Sequence, residues 1–219
     1  MSKIIAIMLL LCCGMMLFGC ADDNGRRKAE QQKTIVVTDS VGRKVELPYP
    51  LERVAVCNVY NAELITAVGA IDKIVGVDNY IFKDQSGFKN RFNEAQVFGI
   101  SQNAMNYEKL AELSPQAVII TGEGTWRDAQ EMLDRFGIKV IVINSYYTDQ
   151  FADNCRLIGR IFGREEQAEE LVNYFNDKLA YIQKQLQGVP RRSLYFEYRT
   201  LGKTAVPGDY FYKMVEYSG

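Results

Sequence analysis

The longest regular pattern in the chain lies in Arg164–Gln187. Its apolar residues Ala168, Val172, Phe175, Leu179, Ile182 and Leu186 recur at alternating steps of four and three, which places them on one helical face. Gly163 precedes the stretch, and Gly188 with Pro190 follows it, so breakers stand at both ends. A rod of this length spans roughly 36 Å at about 1.5 Å per residue. The period fits a spacer joining two lobes, and it equally fits an amphipathic helix packed on its own domain.

Upstream the pattern changes to short apolar runs between helical segments. Thr34–Leu47 predicts a hairpin around Asp39-Ser40-Val41-Gly42, ended by Pro48 and Pro50. Strands are predicted at Arg53–Cys57, Lys73–Val77, Ala117–Thr121 and Lys139–Ile143. Helices are predicted at Asn61–Val68, Asn106–Leu113 (with Asn106 as cap), Trp126–Phe136 and Asp149–Phe162. Asp78–Gln96 is rich in aromatic and polar residues and has no clean period. Near-continuous apolar strands alternating with helices predict an α/β fold with a parallel sheet covered on both faces, Rossmann-like in its first lobe. After the long helix, Arg192–Tyr198 predicts a further strand and Asp209–Ser218 a last helix.

Met1–Cys20 reads as a secretion signal, with Lys3 for charge and Ile4–Leu11 plus Met15–Phe18 as the apolar region. It ends in Leu17-Phe18-Gly19-Cys20, which resembles a bacterial lipobox and makes Cys20 the expected lipidation site; an uncleaved membrane anchor is the alternative. The expected organisation is a signal over 1–20, a flexible tether over 21–33 and an α/β ligand-binding lobe over 34–163. An interlobe helix over 164–188 and the start of a second lobe over 189–219 complete it.

Composition narrows the chemistry. The 26 basic and 27 acidic residues balance, which offers no basic footprint for nucleic acid. Histidine is absent, so Ser–His–Asp and Cys–His catalysis and His-ligated zinc are excluded within this chain. The five cysteines show no CxxC spacing. Cys57 and Cys155 fall at a strand end and in a helix, and are read as core residues rather than a disulfide.

In a parallel sheet the loops at the carboxyl ends of the strands line the ligand crevice. Here those loops carry Asn58-Val59-Tyr60, Asp78-Asn79-Tyr80, Gly122–Arg127 and Ser145-Tyr146-Tyr147. Each contains an aromatic residue, and the third adds Arg127 and the only Trp, Trp126. Aromatic faces with one or two cations suit a large, flat or partly anionic ligand. Taken singly, a tyrosine here is read as packing at the sheet rim, whereas Trp126 in its Gly-flanked loop is read as a ligand contact. Gly122-x-Gly124 lacks the third glycine of a dinucleotide loop and the GK[ST] of a P-loop.

These features together resemble the cluster A-III substrate-binding proteins of ABC importers. The resemblance rests on Asp39-Ser40-Val41-Gly42-Arg43, Arg53-Val54-Ala55-Val56, Glu63–Ala70 and Lys73–Val77. It continues through Gly99 with Asn106–Leu110, Leu113–Ile119 and Phe136–Val140, and covers about Thr34 to the end. It implies two α/β lobes joined by a long rigid helix, with an iron–siderophore, haem or cobalamin held between them. It implies an exported, lipid-anchored monomer working with an ABC permease and ATPase, with no catalytic residues, resident metal or cofactor. Glu108 and Glu216 match the family's two permease-docking glutamates. Tyr198 and Arg199 would reach the crevice from the second lobe, and only the start of that lobe is expected in Val189–Gly219.

Two other readings share the architecture. A chelatase-like or nitrogenase-like enzyme would need a His or Cys cluster for its metal work, and a lipoprotein sensor would use the fold without transport. The absence of histidine argues against the related binders of free zinc or manganese, while a haem protein with a tyrosine axial ligand fits the composition.

Overall fold

The computed structural model describes residues 33–198 and 200–218. Four strands, β3 (Val54–Val56), β4 (Ile74–Val77), β5 (Ala117–Ile120) and β6 (Lys139–Val142), form an all-parallel sheet in the order β4-β3-β5-β6. The run of apolar residues in each strand has a direct cause. Val54, Val56, Ile119, Ile141 and Ile143 enter one core cluster, while Ala55, Cys57, Val118, Ile120, Val140 and Val142 enter another. The two-residue period sends alternate side chains to opposite faces, and both faces are covered.

The first face is covered by α1 (Val59–Ala67), α5 (Phe151–Phe162) and the start of α6 (Glu165–Gln185). The second is covered by α3 (Tyr107–Glu112) and α4 (Trp126–Asp134), through Leu110, Ala129 and Leu133. Cys57 and Cys155 are buried free thiols, as the sequence predicts.

Neither outer strand is left bare. The antiparallel hairpin of β1 (Thr34–Thr38) and β2 (Lys44–Pro48) sets its turn on β6: the Ser40 N–H donates to the Val142 carbonyl (2.9 Å), and the Val142 N–H donates to Asp39 Oδ2 (3.3 Å). At the other edge the Phe98 N–H donates to the Val77 carbonyl (3.1 Å). Covered edges remove a template for unwanted strand pairing.

Two stretches depart from expectation. Asp78–Gln96 contains the short helix α2 (Asn79–Lys83), with Asp78 as its N-cap, and a 3₁₀ turn at Glu94–Gln96. The stretch is anchored by single buried residues, Ile81 and Phe88, so no period shows in the sequence. Arg192–Tyr198 is not a strand; its only ladder contact is the isolated bridge Glu197↔Thr204. The chain folds back on itself there, with the Tyr198 N–H donating to the Lys203 carbonyl (2.9 Å). A strand needs a partner ladder, and none lies alongside this segment among the described residues.

Helix α6 behaves differently along its length. Ala168 and Val172 are fully buried, and Phe175 stacks on Phe151 with ring centroids 4.4 Å apart. Towards the C-terminal end the stripe emerges, and Ile182 is 43% exposed. The last helix, α7 (Tyr210–Tyr217), has no buried residue.

Candidate functional site

The chain runs from β3 to β4 on one side of the sheet and then to β5 on the other. This reversal puts a crevice at the carboxyl ends of β3 and β5, where open α/β sheets bind ligands. Asn58 leaves β3 with φ 78° and ψ 127°, a left-handed backbone unusual for a residue with a side chain. Hydrogen bonds hold it there. Its N–H donates to Asp78 Oδ2 (3.0 Å), and its own Oδ1 accepts from the Tyr60 N–H (2.9 Å), capping α1. Asp78 Oδ1 accepts from the Ile81 N–H (2.9 Å), so one buried carboxylate ties the β3 and β4 loops together. Burial pushes the Asp78 pKa up, against the downward pull of these backbone donors. Burial, reinforced by the nearby Asp78 charge, also raises the Cys57 thiol.

The β5 loop is fastened just as closely. Gln102 Oε1 accepts from the Thr121 N–H (2.9 Å) and hydroxyl (2.8 Å), and its Nε2 donates to the Glu123 carbonyl. The Gly122 N–H donates to Asn144 Oδ1 (2.7 Å). Gly124 has φ +82°, and a Cβ there would collide with Asn103 Oδ1. Across the sheet, the Ser145 hydroxyl donates to Asn61 Oδ1 (2.6 Å), and Asn61 Nδ2 donates to the Cys57 carbonyl (3.2 Å). The loops after β3, β5 and β6 are therefore held as one rim.

Two adjoining cavities open at this rim and share Asn58 and Glu123. One, about 540 Å³, is lined by Asn58, Tyr60, Asp78, Tyr80, Ser101, Gln102, Asn103, Thr121 and Glu123, with Val59. The other, about 470 Å³, adds Tyr146 from the β6 loop and Tyr198, Lys203, Asp209, Tyr210 and Phe211 from the C-terminal segment. Aromatic rings form its wall. Tyr146 lies 4.7 Å from Tyr147 and meets Tyr210 edge-on at 5.5 Å, and Phe211 lies 4.0 Å from Tyr210 and 4.8 Å from Tyr198.

Burial, and after it the charge of Glu123, raises the Tyr146 hydroxyl well above its ordinary value; a hydrogen bond to Glu123 adds to this. Burial, then the hydrogen bond with Tyr198, pushes Tyr210 up to about 12. Both are phenols at neutral pH, and with their hydroxyls engaged by Glu123 and Tyr198 they offer a ligand ring faces and oxygen acceptors.

Of the residues the sequence points to, Asn58, Tyr60, Tyr80, Tyr146 and Tyr198 line the cavities. Tyr147 stacks behind Tyr146 without entering either lining. Trp126 stands elsewhere. It is 9% exposed in the second core cluster, sandwiched between the guanidinium groups of Arg43 (4.3 Å) and Arg127 (4.2 Å). The Gly-flanked loop that suggests a ligand contact ends at Trp126, the first residue of α4, whose ring packs inward against the sheet. The structure thus withdraws Trp126 and Arg127 from the lining. Arg199 and Cys20 lie outside the described residues.

The linings also contain residues the sequence reading passes over. Ser101, Gln102 and Asn103 come from a loop with no periodic signal. Glu123 sits between Gly122 and Gly124 in the loop after β5.

Glu108 is exposed in the first turn of α3, and Glu216 is exposed on α7, where Lys213 Nζ pairs with it at 2.7 Å. Glu216 lies in the last turn of α7, where the dipole disfavours a carboxylate, and the ion pair with Lys213 offsets this. Among the described residues no group of three or more His, Cys, Asp or Glu side chains is placed to hold a metal ion. No described helix is long and apolar enough to cross a membrane.

Among curated proteins none matches the sequence. Solved structures do. A periplasmic solute binding protein from Veillonella parvula DSM 2008 is 26% identical, with a TM-score of 0.55 over 72% of this chain and 50% of that one. Staphylococcus aureus SirA, complexed with staphyloferrin B, is 20% identical, with a TM-score of 0.58 over 70% of this chain and 51% of that one. The Haemophilus influenzae molybdate periplasmic binding protein MolA is 20% identical, with a TM-score of 0.59 over 71% and 55%. The chain therefore spans about half the length of the structures it matches. A sequence profile described as periplasmic binding protein matches residues 54–213, most of the chain and all four strands of the sheet. With the crevice at the strand reversal and the match over this span, the chain belongs to the periplasmic binding protein family.

Proposed function

We propose that this chain is the lipid-anchored substrate-binding component of an ABC importer, capturing a metal chelate and delivering it to a membrane permease and its ATPase. The observation that carries the reading is the crevice wall: Tyr60, Tyr80, Tyr146, Tyr198 and Tyr210 gathered around Asn58 and Glu123 at the switch point. Stacked phenols offer flat, polarisable faces and oxygen acceptors, which suit a bulky chelate better than a bare ion. The complex of SirA with staphyloferrin B supports a chelate as the ligand class. An iron–siderophore or haem fits first and cobalamin next.

Calorimetric titration of the full chain with ferric siderophores, haem and cobalamin tests this. Saturable binding of one of them is expected, weakened at least tenfold by Tyr146→Ala. Absence of binding to all three classes would overturn the proposal. Docking is tested separately. Glu108 is exposed and lines neither cavity, so Glu108→Ala should leave ligand affinity unchanged and lower chelate uptake by cells. A drop in affinity would remove Glu108 from the docking role.

A further inference from the structure

We propose that the ligand presents a cationic group, of the ammonium type, to Glu123, and that this carboxylate selects neutral-to-cationic chelates over polyanionic ones. The proposal rests on the chelate-binding reading above and narrows it. It follows from which carboxylates at the crevice already have partners.

Three acidic side chains border the two cavities. Both oxygens of Asp78 accept backbone N–H groups, from Ile81 (2.9 Å) and Asn58 (3.0 Å). Both oxygens of Asp209 do the same, from Tyr212 (2.9 Å) and Val206 (3.1 Å). These two carboxylates are structural caps. Glu123 is different. It is exposed, it borders both cavities, and among the described residues it has no ion pair. Its side-chain partner is a neutral donor, the Tyr146 hydroxyl.

The cations are distributed just as unevenly. The larger cavity has no lysine or arginine among its lining residues. Lys203, on the C-terminal segment, is the one described cation on the smaller cavity. Arg43 and Arg127, which could have served an anion, are stacked on Trp126. A ligand with several free carboxylates would therefore lie against Glu123 with no counter-charge from the sheet loops. Like-charge juxtaposition of this kind is how sites reject a competitor. An ammonium group near Glu123 would also meet the ring faces of the flanking tyrosines, which attract cations.

The loop geometry keeps the carboxylate in place. Gln102 holds the Glu123 carbonyl, and Gly124 has the only side chain its φ of +82° and the neighbouring Asn103 allow. The charge is thus presented from a fastened backbone rather than a free loop.

The test uses probes that differ in one charge. Ferrioxamine B, a ferric trihydroxamate with a terminal ammonium, is titrated into the full chain beside its N-acetylated neutral form and ferric citrate as an anionic chelate. Wild type should bind ferrioxamine B about fivefold more tightly than the acetylated form, the size expected of one partly exposed ion pair, and ferric citrate least tightly. Glu123→Gln should abolish the difference between the two hydroxamates, and Glu123→Asp should keep part of it. Lys203→Gln, a control at the one described cation of the smaller cavity, should leave the preference intact. Equal binding of the two hydroxamates, or tightest binding of ferric citrate, overturns this inference and leaves the chelate-binding reading standing. Failure of these chelates, haem and cobalamin all to bind overturns both, whereas saturable binding of haem, which carries two carboxylates, without either hydroxamate overturns this inference alone.

Discussion

Arg43 shows how one side chain can serve several elements. Its guanidinium bonds Asp39 Oδ2 through Nε (3.0 Å) and Nη2 (2.6 Å), donates to the Val140 carbonyl (3.1 Å) and to Gln130, and covers the Trp126 ring. Asp39 has no exposed side-chain surface, so removing the arginine leaves a buried charge without its counter-ion. Arg43→Ala is expected to destabilise the fold by about 3 kcal/mol. Arg43→Lys should recover less than half, because a point charge replaces a planar fork. Urea midpoints followed by Trp126 emission measure both, and an unchanged midpoint in Arg43→Ala would show that the backbone donors to Asp39 suffice. The buried thiols add a pH dependence. Burial pushes Cys155 up to about 12 from an ordinary value of 9.0. Between those values the folded chain holds a proton that the unfolded chain has lost, so this group's contribution to stability falls as pH rises from about 9. Cys155→Ala should therefore lose less stability than wild type between pH 8.5 and 11, and parallel stability–pH curves would contradict the assignment.

At the scale of elements, the contact of α5 with α6 depends on missing atoms. A Cβ at Gly159 would lie 2.5 Å from Ala168 Cβ and 2.9 Å from the Arg164 carbonyl oxygen. Alanine is the better helix former by about 1 kcal/mol, so propensity alone favours Gly159→Ala. Overpacking opposes it and is the larger effect, costing about 1–3 kcal/mol as the helices move apart. The substitution should lower the melting temperature, and Ala168→Gly in the same chain should restore part of the loss; additive effects would rule out the direct clash. What the sequence makes legible at this scale follows from periodicity. The four strands and α6 are visible because covered sheet faces and a helical stripe leave repeating apolar positions. Helix α2 is hidden, since Asp78 caps it and Ile81 alone anchors it. The Arg192–Tyr198 run has strand-like composition, but strand formation needs a neighbouring ladder that composition cannot reveal. At the crevice, loop position correctly places Asn58, Tyr60, Tyr80 and Tyr146 near the strand ends. It misplaces Trp126, because the direction of a ring at a helix start depends on the packing of that helix against the sheet.

Across the whole molecule, apolar burial is concentrated in the sheet and its covering helices and falls away beyond the middle of α6. Every described residue in the two core clusters lies at or before Val172. From Val189 onward the exposed apolar side chains accumulate: Val189, Leu194, Tyr195, Leu201, Val206 and Met214. What holds this segment is a small aromatic group, Phe196, Tyr198, Tyr210 and Phe211, together with the contact of Tyr210 with Tyr146 and Tyr147. Local opening free energy follows buried contacts, so this segment should open at far lower cost than the sheet. The Tyr146–Tyr210 contact bridges the two regions at the crevice, which couples that opening to the site. Two measurements check this together. Hydrogen exchange should show the amides of α7 exchanging at least a hundredfold faster than those of β3 and β5. A ligand that bridges Tyr146 and Tyr210 should slow exchange in α7 more than in the sheet, because binding stabilises only the closed arrangement. Equal protection of α7 and the sheet would show that the aromatic group alone anchors the C-terminal segment. A ligand that protects only the sheet loops would place binding wholly in the Asn58–Tyr60–Glu123 cavity.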